Sequence, residues 1–231
     1  MQRGPQGDGN DAREQTNRRI YADILEQIVT GKRSPGERLK EEELAEKYHV
    51  SRTPIREILI ALEKDGLVER TRNRGARVSY FTPDDLEQVY DMRIALECLA
   101  VRRAITHISL NDLGRFEKRL EDLDHRQGPG LTQRRADIDL ELHRFIVSQS
   151  HNRRLVTELN NISFLLNSLR LISYRNEEHT RRAGQQHLAI IRALQRRDLQ
   201  LAERLVTEHI ETSKQNMLEL LFQRREGLAP L

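Results

Sequence analysis

Apolar residues recur at helical spacing at Ile20, Ile24, Leu25 and Ile28 and are followed by Gly31, which predicts a first helix over residues 16–30. SPGERL then reads as a turn, and EEELAEKYH as a second helix whose acidic first turn suits the helix dipole. In VSRTPIREIL, residues 50–59, Ser51 suits an N-cap and Pro54 fits a first turn. Ile55, Ile58, Leu59 and Leu62 form one stripe to be buried, which leaves Arg52, Thr53 and Arg56 outside. Asp65 and Gly66 end the pattern, and residues 67–70 and 77–79 read as short strands joined through residues 73–75. Helix, turn, helix and a hairpin wing make one unit over residues 16–80.

From residue 81 onward the pattern is helical throughout. Thr82, Pro83 and Asp85 form a capping signal, and helices are expected to begin near Pro83, Leu110, Thr132, Asn152, Glu178 and Leu199. Ser109, the QGPG stretch, His151 with Asn152, and Asp198 separate them. Residues 81–225 therefore read as an all-α bundle of six helices behind a winged helix-turn-helix, a mainly α fold. Residues 1–15, rich in Gly, Asp and Gln, are expected to be a disordered tail, and residues 226–231 a second tail.

Composition narrows the setting. A chain of 231 residues can bury a proper core, its single cysteine, Cys98, excludes an internal disulfide, and no apolar run approaches the roughly 20 residues that span a bilayer. No signal-peptide core stands at the N-terminus, so a cytoplasmic protein without a membrane partner is expected. The net charge of +3 does not identify a nucleic-acid binder. Local clusters say more, because Arg52 and Arg56 share one helix face and RTRNRGAR, residues 70–77, places four arginines around Gly75. A helix that buries its back and offers arginines near its N-terminus has the shape of a DNA recognition helix, with wing arginines free for phosphates or the minor groove. Arg52 or Arg56 can then read guanine O6 and N7, while Ser51 and Thr53 steady phosphates.

The helical half carries a different signal. Asp139 and His143 stand at i and i+4 in IDLELHRFIV, on one face and beside Leu142, Phe145 and Ile146. A carboxylate on an apolar face is costly unless it is paired or bound to a cation. His187 and His209 lie beside apolar stripes of the last two helices, and one carboxylate with three imidazoles can supply a divalent ion. Zinc is the expected metal, with nickel or manganese as alternatives. The other histidines, His49, His107, His125, His151 and His179, do not join this set.

The run through IVTGKRSPGERLKEEELAEKYHVSRTPIREILIALEKDGLVERTRNRGARV resembles the winged helix-turn-helix of the GntR family of bacterial transcription regulators. The resemblance implies base contact from Arg52 and Arg56, with Ser51, Thr53, Arg74 and Gly75 at the DNA backbone or groove. Glu42 stands where some relatives have a DNA-contacting arginine, and His49 where glycine is frequent. Residues 81–222 resemble the metal-binding FadR C-terminal domain, in its six-helix, VanR-like form. That likeness is carried by Asp139, His143, His187 and His209, by Arg93 with Glu97, by the His151–Asn152 pair, and by the RRD turn before the last helix. It implies a homodimer on double-stranded operator DNA.

An ion with open positions offers a landing point for a small carboxylate metabolite, and Arg93 is the cationic side chain expected to complete its recognition. The expected function is a repressor switched by an organic acid, not an enzyme. A metal hydrolase and a regulator with a purely structural ion are the competing readings.

Overall fold

The computed structural model describes residues 8–30, 32–71, 75–79, 82–126, 130–173 and 177–222. It contains two compact units with the break between Thr82 and Pro83, the second running to Leu220. Among the described residues no helix is long and apolar enough to cross a membrane.

The first unit comprises α1 (Asp8–Val29), β1 (Arg38–Leu39), α2 (Glu41–Tyr48), α3 (Arg52–Lys64), β2 (Val68–Thr71) and β3 (Gly75–Val78). Helix α3 follows from its stripe, since Ile55, Ile58, Leu59 and Leu62 are each no more than 2% exposed. Burying such side chains stabilises the unit by about 1.5–3 kcal/mol each. Buried Tyr21 of α1 donates to Asp65 Oδ2 at 2.5 Å, which ties α1 to the end of α3. Burial, then the Asp65 charge, pushes the Tyr21 hydroxyl far above its usual range, so it stays a donor.

Three expectations need correction here. Helix α1 begins at Asp8, not residue 16, so residues 8–15 are helical and not part of a disordered tail. Arg18 and Glu14 pair one turn apart, and Arg13 reaches Glu57 of α3 at 3.3 Å, contacts that extend the helix beyond its apolar stripe. The PGERL turn contains strand β1, and the sheet order is β1-β3-β2, antiparallel throughout, with Arg38 opposite Arg77 and Val68 opposite Val78. Gly75 is a strand residue opposite Thr71, with a positive φ of 81° that disfavours any side chain.

The second unit comprises α4 (Pro83–Ala104), α5 (Leu110–Asp124), α6 (Leu131–Gln149), α7 (Arg153–Ser173), α8 (Glu177–Gln195) and, as far as Leu220, α9 (Leu199–Phe222). Three of its helix starts are fixed by side-chain oxygens that accept otherwise unpartnered backbone N–H groups. Ser109 Oγ accepts from Asp112 N at 3.2 Å, Asn152 Oδ1 from Leu155 N at 3.2 Å, and Asp198 Oδ1 from Leu201 N at 3.0 Å. In the RRD turn Arg197 has a left-handed φ of 58°, and its guanidinium donates to the carbonyls of Ile105 and Ile108 where α4 gives way to α5. Helix α6 lies inside the bundle against α4, α5, α7 and α8. A polar residue on its inner face must therefore find partners on the surrounding helices.

Candidate metal centre and nucleic-acid interface

Asp139 and His143 of α6, His187 of α8 and His209 of α9 converge, each no more than 6% exposed, with one donor atom from each within 4.8 Å of all the others. Asp139 Oδ1 lies 3.1 Å from His143 Nε2 and 2.9 Å from His187 Nε2. His209 Nε2 lies 3.3 Å from His143 Nε2 and 3.1 Å from His187 Nε2. These four edges form a ring, and the Asp139–His209 diagonal is 4.0 Å.

Hydrogen bonds on the far side of two rings select which nitrogen is left for an ion. His143 Nδ1 donates to Glu97 Oε2, so its Nε2 keeps a lone pair. His209 Nδ1 donates to Gln186 Oε1 at 3.1 Å, and the Gln186 amide is oriented by donating to Thr212 Oγ1 at 3.1 Å. Burial, with the neighbouring His187 and His143 rings, pushes His209 well below its ordinary value, so it is a neutral imidazole. One carboxylate and three imidazoles, buried and aimed at one point, are a donor set that a divalent cation fits.

Arg93 of α4 stands beside this ring. Its Nε donates to Glu97 Oε1 at 2.7 Å and its Nη2 is 3.4 Å from His143 Nε2. Burial opposes its charge, and Glu97 chiefly outweighs that effect, so the guanidinium remains firmly protonated. Its Nη1 is buried and meets no hydrogen-bond acceptor among the described residues. The i,i+4 pair of Arg93 and Glu97 is therefore real, but it is a buried one that leaves a donor over. Glu97 as the partner of His143, and Gln186 as the partner of His209, were not evident from the sequence, because their spacing says nothing about what faces them across the bundle.

In the first unit Ser51, Arg52, Thr53 and Arg56 all lie exposed at the start of α3. Ser51 has the extended backbone of an N-cap, but its hydroxyl makes no cap hydrogen bond. A cleft of about 350 Å³ joins α2, α3 and the sheet, lined by Arg38, Lys40, Arg52, Arg56 and Arg70 together with Glu41 and Glu42. Gly75 also borders it, and a Cβ there would meet the Arg38 guanidinium at 3.7 Å. Arg74 lies outside the described residues.

The arginines of α3 are not bare. Arg56 grips Glu41 with Nε at 3.1 Å and Nη2 at 2.9 Å. Arg52 Nη1 lies 2.8 Å from Glu42 Oε1, and its Nη2 is 3.6 Å from Glu41 Oε2. The Arg56 hydrogen bond holds the Glu41 carboxyl below its usual range, so it is ionised near neutrality.

Residues 16–78 match the family described as bacterial regulatory proteins, gntR family, and residues 88–212 match the FCD domain. The Nta operon transcriptional regulator of Aminobacter aminovorans is 30% identical over 187 residues, covering 81% of this chain and 87% of its own. The HTH-type transcriptional repressor RspR of Escherichia coli K12 is 26% identical over 208 residues, covering 88% of this chain and 90% of its own. Among solved structures, E. coli McbR/YncC aligns with a TM-score of 0.63 at 22% identity, covering 91% of this chain and 98% of its own, a likeness of fold.

Proposed function

This chain belongs to the GntR family of bacterial regulatory proteins and carries an FCD domain, and from that premise we propose that it is a homodimeric repressor whose hold on operator DNA is controlled by a small carboxylate bound at a metal centre. That it is a DNA-binding transcription regulator follows from the family and its relatives, and the hydrolase reading lapses with it.

The observation that carries the finer reading is the juxtaposition of the Asp139, His143, His187 and His209 donors with the spare buried Nη1 of Arg93. The ion supplies a Lewis-acidic anchor for a carboxylate oxygen. Arg93 contributes a charge-assisted hydrogen bond to the same anion, and Glu97 holds both Arg93 and His143 in place. One carboxylate and three imidazoles would suit zinc, with nickel or manganese as alternatives that the same donor types could hold. The six helices of the bundle support the VanR-like branch.

In the first unit, α3 reads the major groove through Arg52 and Arg56, Ser51 and Thr53 bind phosphates, and Arg74 and Gly75 serve the wing. A two-fold dimer reads two half-sites, so a ligand that alters their spacing weakens several contacts together.

The test is to sequence the genomic fragments that the metal-loaded protein retains at physiological salt, then to wash them with a panel of small mono- and dicarboxylic acids. A shared palindromic site, released by an acid from wild type but not from a His143→Ala variant that has lost its metal, is the expected result. Retention without sequence preference would overturn the regulator. Release that persists in the metal-free variant would reduce the ion to a structural one.

A further inference from the structure

We propose that Glu42 is a specificity-determining residue, which withholds Arg52 from phosphates and yields it to a neutral base edge. This rests on the reading that α3 contacts DNA. Both terminal nitrogens of Arg52 face carboxylates, Nη1 toward Glu42 at 2.8 Å and Nη2 toward Glu41 at 3.6 Å. The two glutamates are not equivalent. The Glu41 side chain is 20% exposed and gripped at two points by Arg56, whereas the Glu42 side chain is 73% exposed with Arg52 as its ion-pair partner.

An exposed ion pair breaks and reforms at little cost, so Glu42 does not lock Arg52. What it does is place a negative charge beside the guanidinium at the cleft surface, where a phosphate would meet it. A phosphate approaching Arg52 meets this like charge, and juxtaposed like charges discriminate against a partner more than they weaken a matched one. A guanine edge presents neutral O6 and N7 acceptors and meets no such repulsion. Glu42 thus lowers sequence-independent affinity and spares base readout. Its position at the start of α2, on the rim of the arginine-lined cleft, puts it where an incoming backbone would pass.

The experiment compares full-length, metal-loaded wild type with Glu42→Gln, which keeps the shape and removes the charge. Each protein is titrated with the duplex that wild type selects from a random pool, and with a scrambled duplex of equal length. Glu42→Gln should bind the scrambled duplex about threefold more tightly and lose that affinity roughly 3.5-fold more steeply between about 50 and 200 mM salt, the increment of one added phosphate contact. Its preference for the selected duplex should fall about threefold. In an Arg52→Ala background the same substitution should leave the preference unchanged. An unchanged preference in Glu42→Gln alone, or an effect that survives without Arg52, would overturn the proposal while leaving DNA reading intact. Failure of wild type to select any sequence would overturn both.

Discussion

Arg56 and Arg93 each lean on a glutamate through Nε, and their surroundings make the two pairs different devices. Arg56 is 57% exposed at the side chain, and Glu41 is 20% exposed. Arg93 is 1% exposed and Glu97 9%. At the surface, water or a phosphate can replace the carboxylate at almost no cost, so the pair is exchangeable and suited to a residue that must change partners on binding. In the bundle, nothing replaces Glu97, and an unpaired guanidinium there is expensive. The same two residue types therefore make an exchangeable surface pair in one unit and a fixed buried pair in the other. Of the two arginines, Arg93 alone has a buried nitrogen that meets no acceptor among the described residues.

The largest effect should come from breaking the buried pair. Glu97→Ala strands Arg93 and frees the His143 ring, and should cost about 3–5 kcal/mol in urea unfolding of the second unit. A cost below about 1 kcal/mol would mean that Arg93 finds another partner and that burial does not separate the two pairs. A neutral support should matter less. Gln186→Ala leaves His209 without its orienting acceptor and should weaken metal binding about tenfold in a chelator competition, whereas unchanged affinity would show that packing alone aligns the ring. The smallest effect belongs to the surface pair. Because Arg56 lowers the Glu41 pKa, that pair contributes stability above the ordinary value of 4.5 and loses it as pH falls through the lower folded value. The melting gap between wild type and Glu41→Gln, followed from neutral pH into acid, should therefore close; a gap that widens would contradict the exposed, exchangeable pair.

Short-range signals were legible in the sequence and long-range ones were not. The six helix starts of the second unit fall within one residue of their expected positions, and three of them are set by Ser109, Asn152 and Asp198, which cap helices through neighbours three residues away. Strand β1 has two residues and no period of its own, and exists only because β3 pairs with it. The start of α1 escaped notice because charged contacts, not an apolar stripe, extend it. His49 is instructive in the opposite direction, since it occupies the left-handed region at φ 55° where α2 ends. That conformation explains why glycine suits the position, and a histidine there carries roughly 1 kcal/mol of strain. At the centre, Asp139 and His143 are a pair that helical spacing exposes. Their grouping with His187 and His209 rests on the apolar stripes of the last two helices and on family resemblance, and the supports from Glu97 and Gln186 show only in the folded structure, because side chains 46 and 23 positions apart carry no local pattern.

The order in which the donors occur along the chain has a genetic consequence. Codons for the arginine-bearing face of α3 precede codon 82, whereas the four donors are divided between codons 139 and 143 and codons 187 and 209. A frameshift or nonsense mutation between the two pairs deletes half the centre and leaves the reading frame of the first unit untouched. The second unit is thus a larger and later target for truncating mutations than the first, and it can be lost while the first is still encoded.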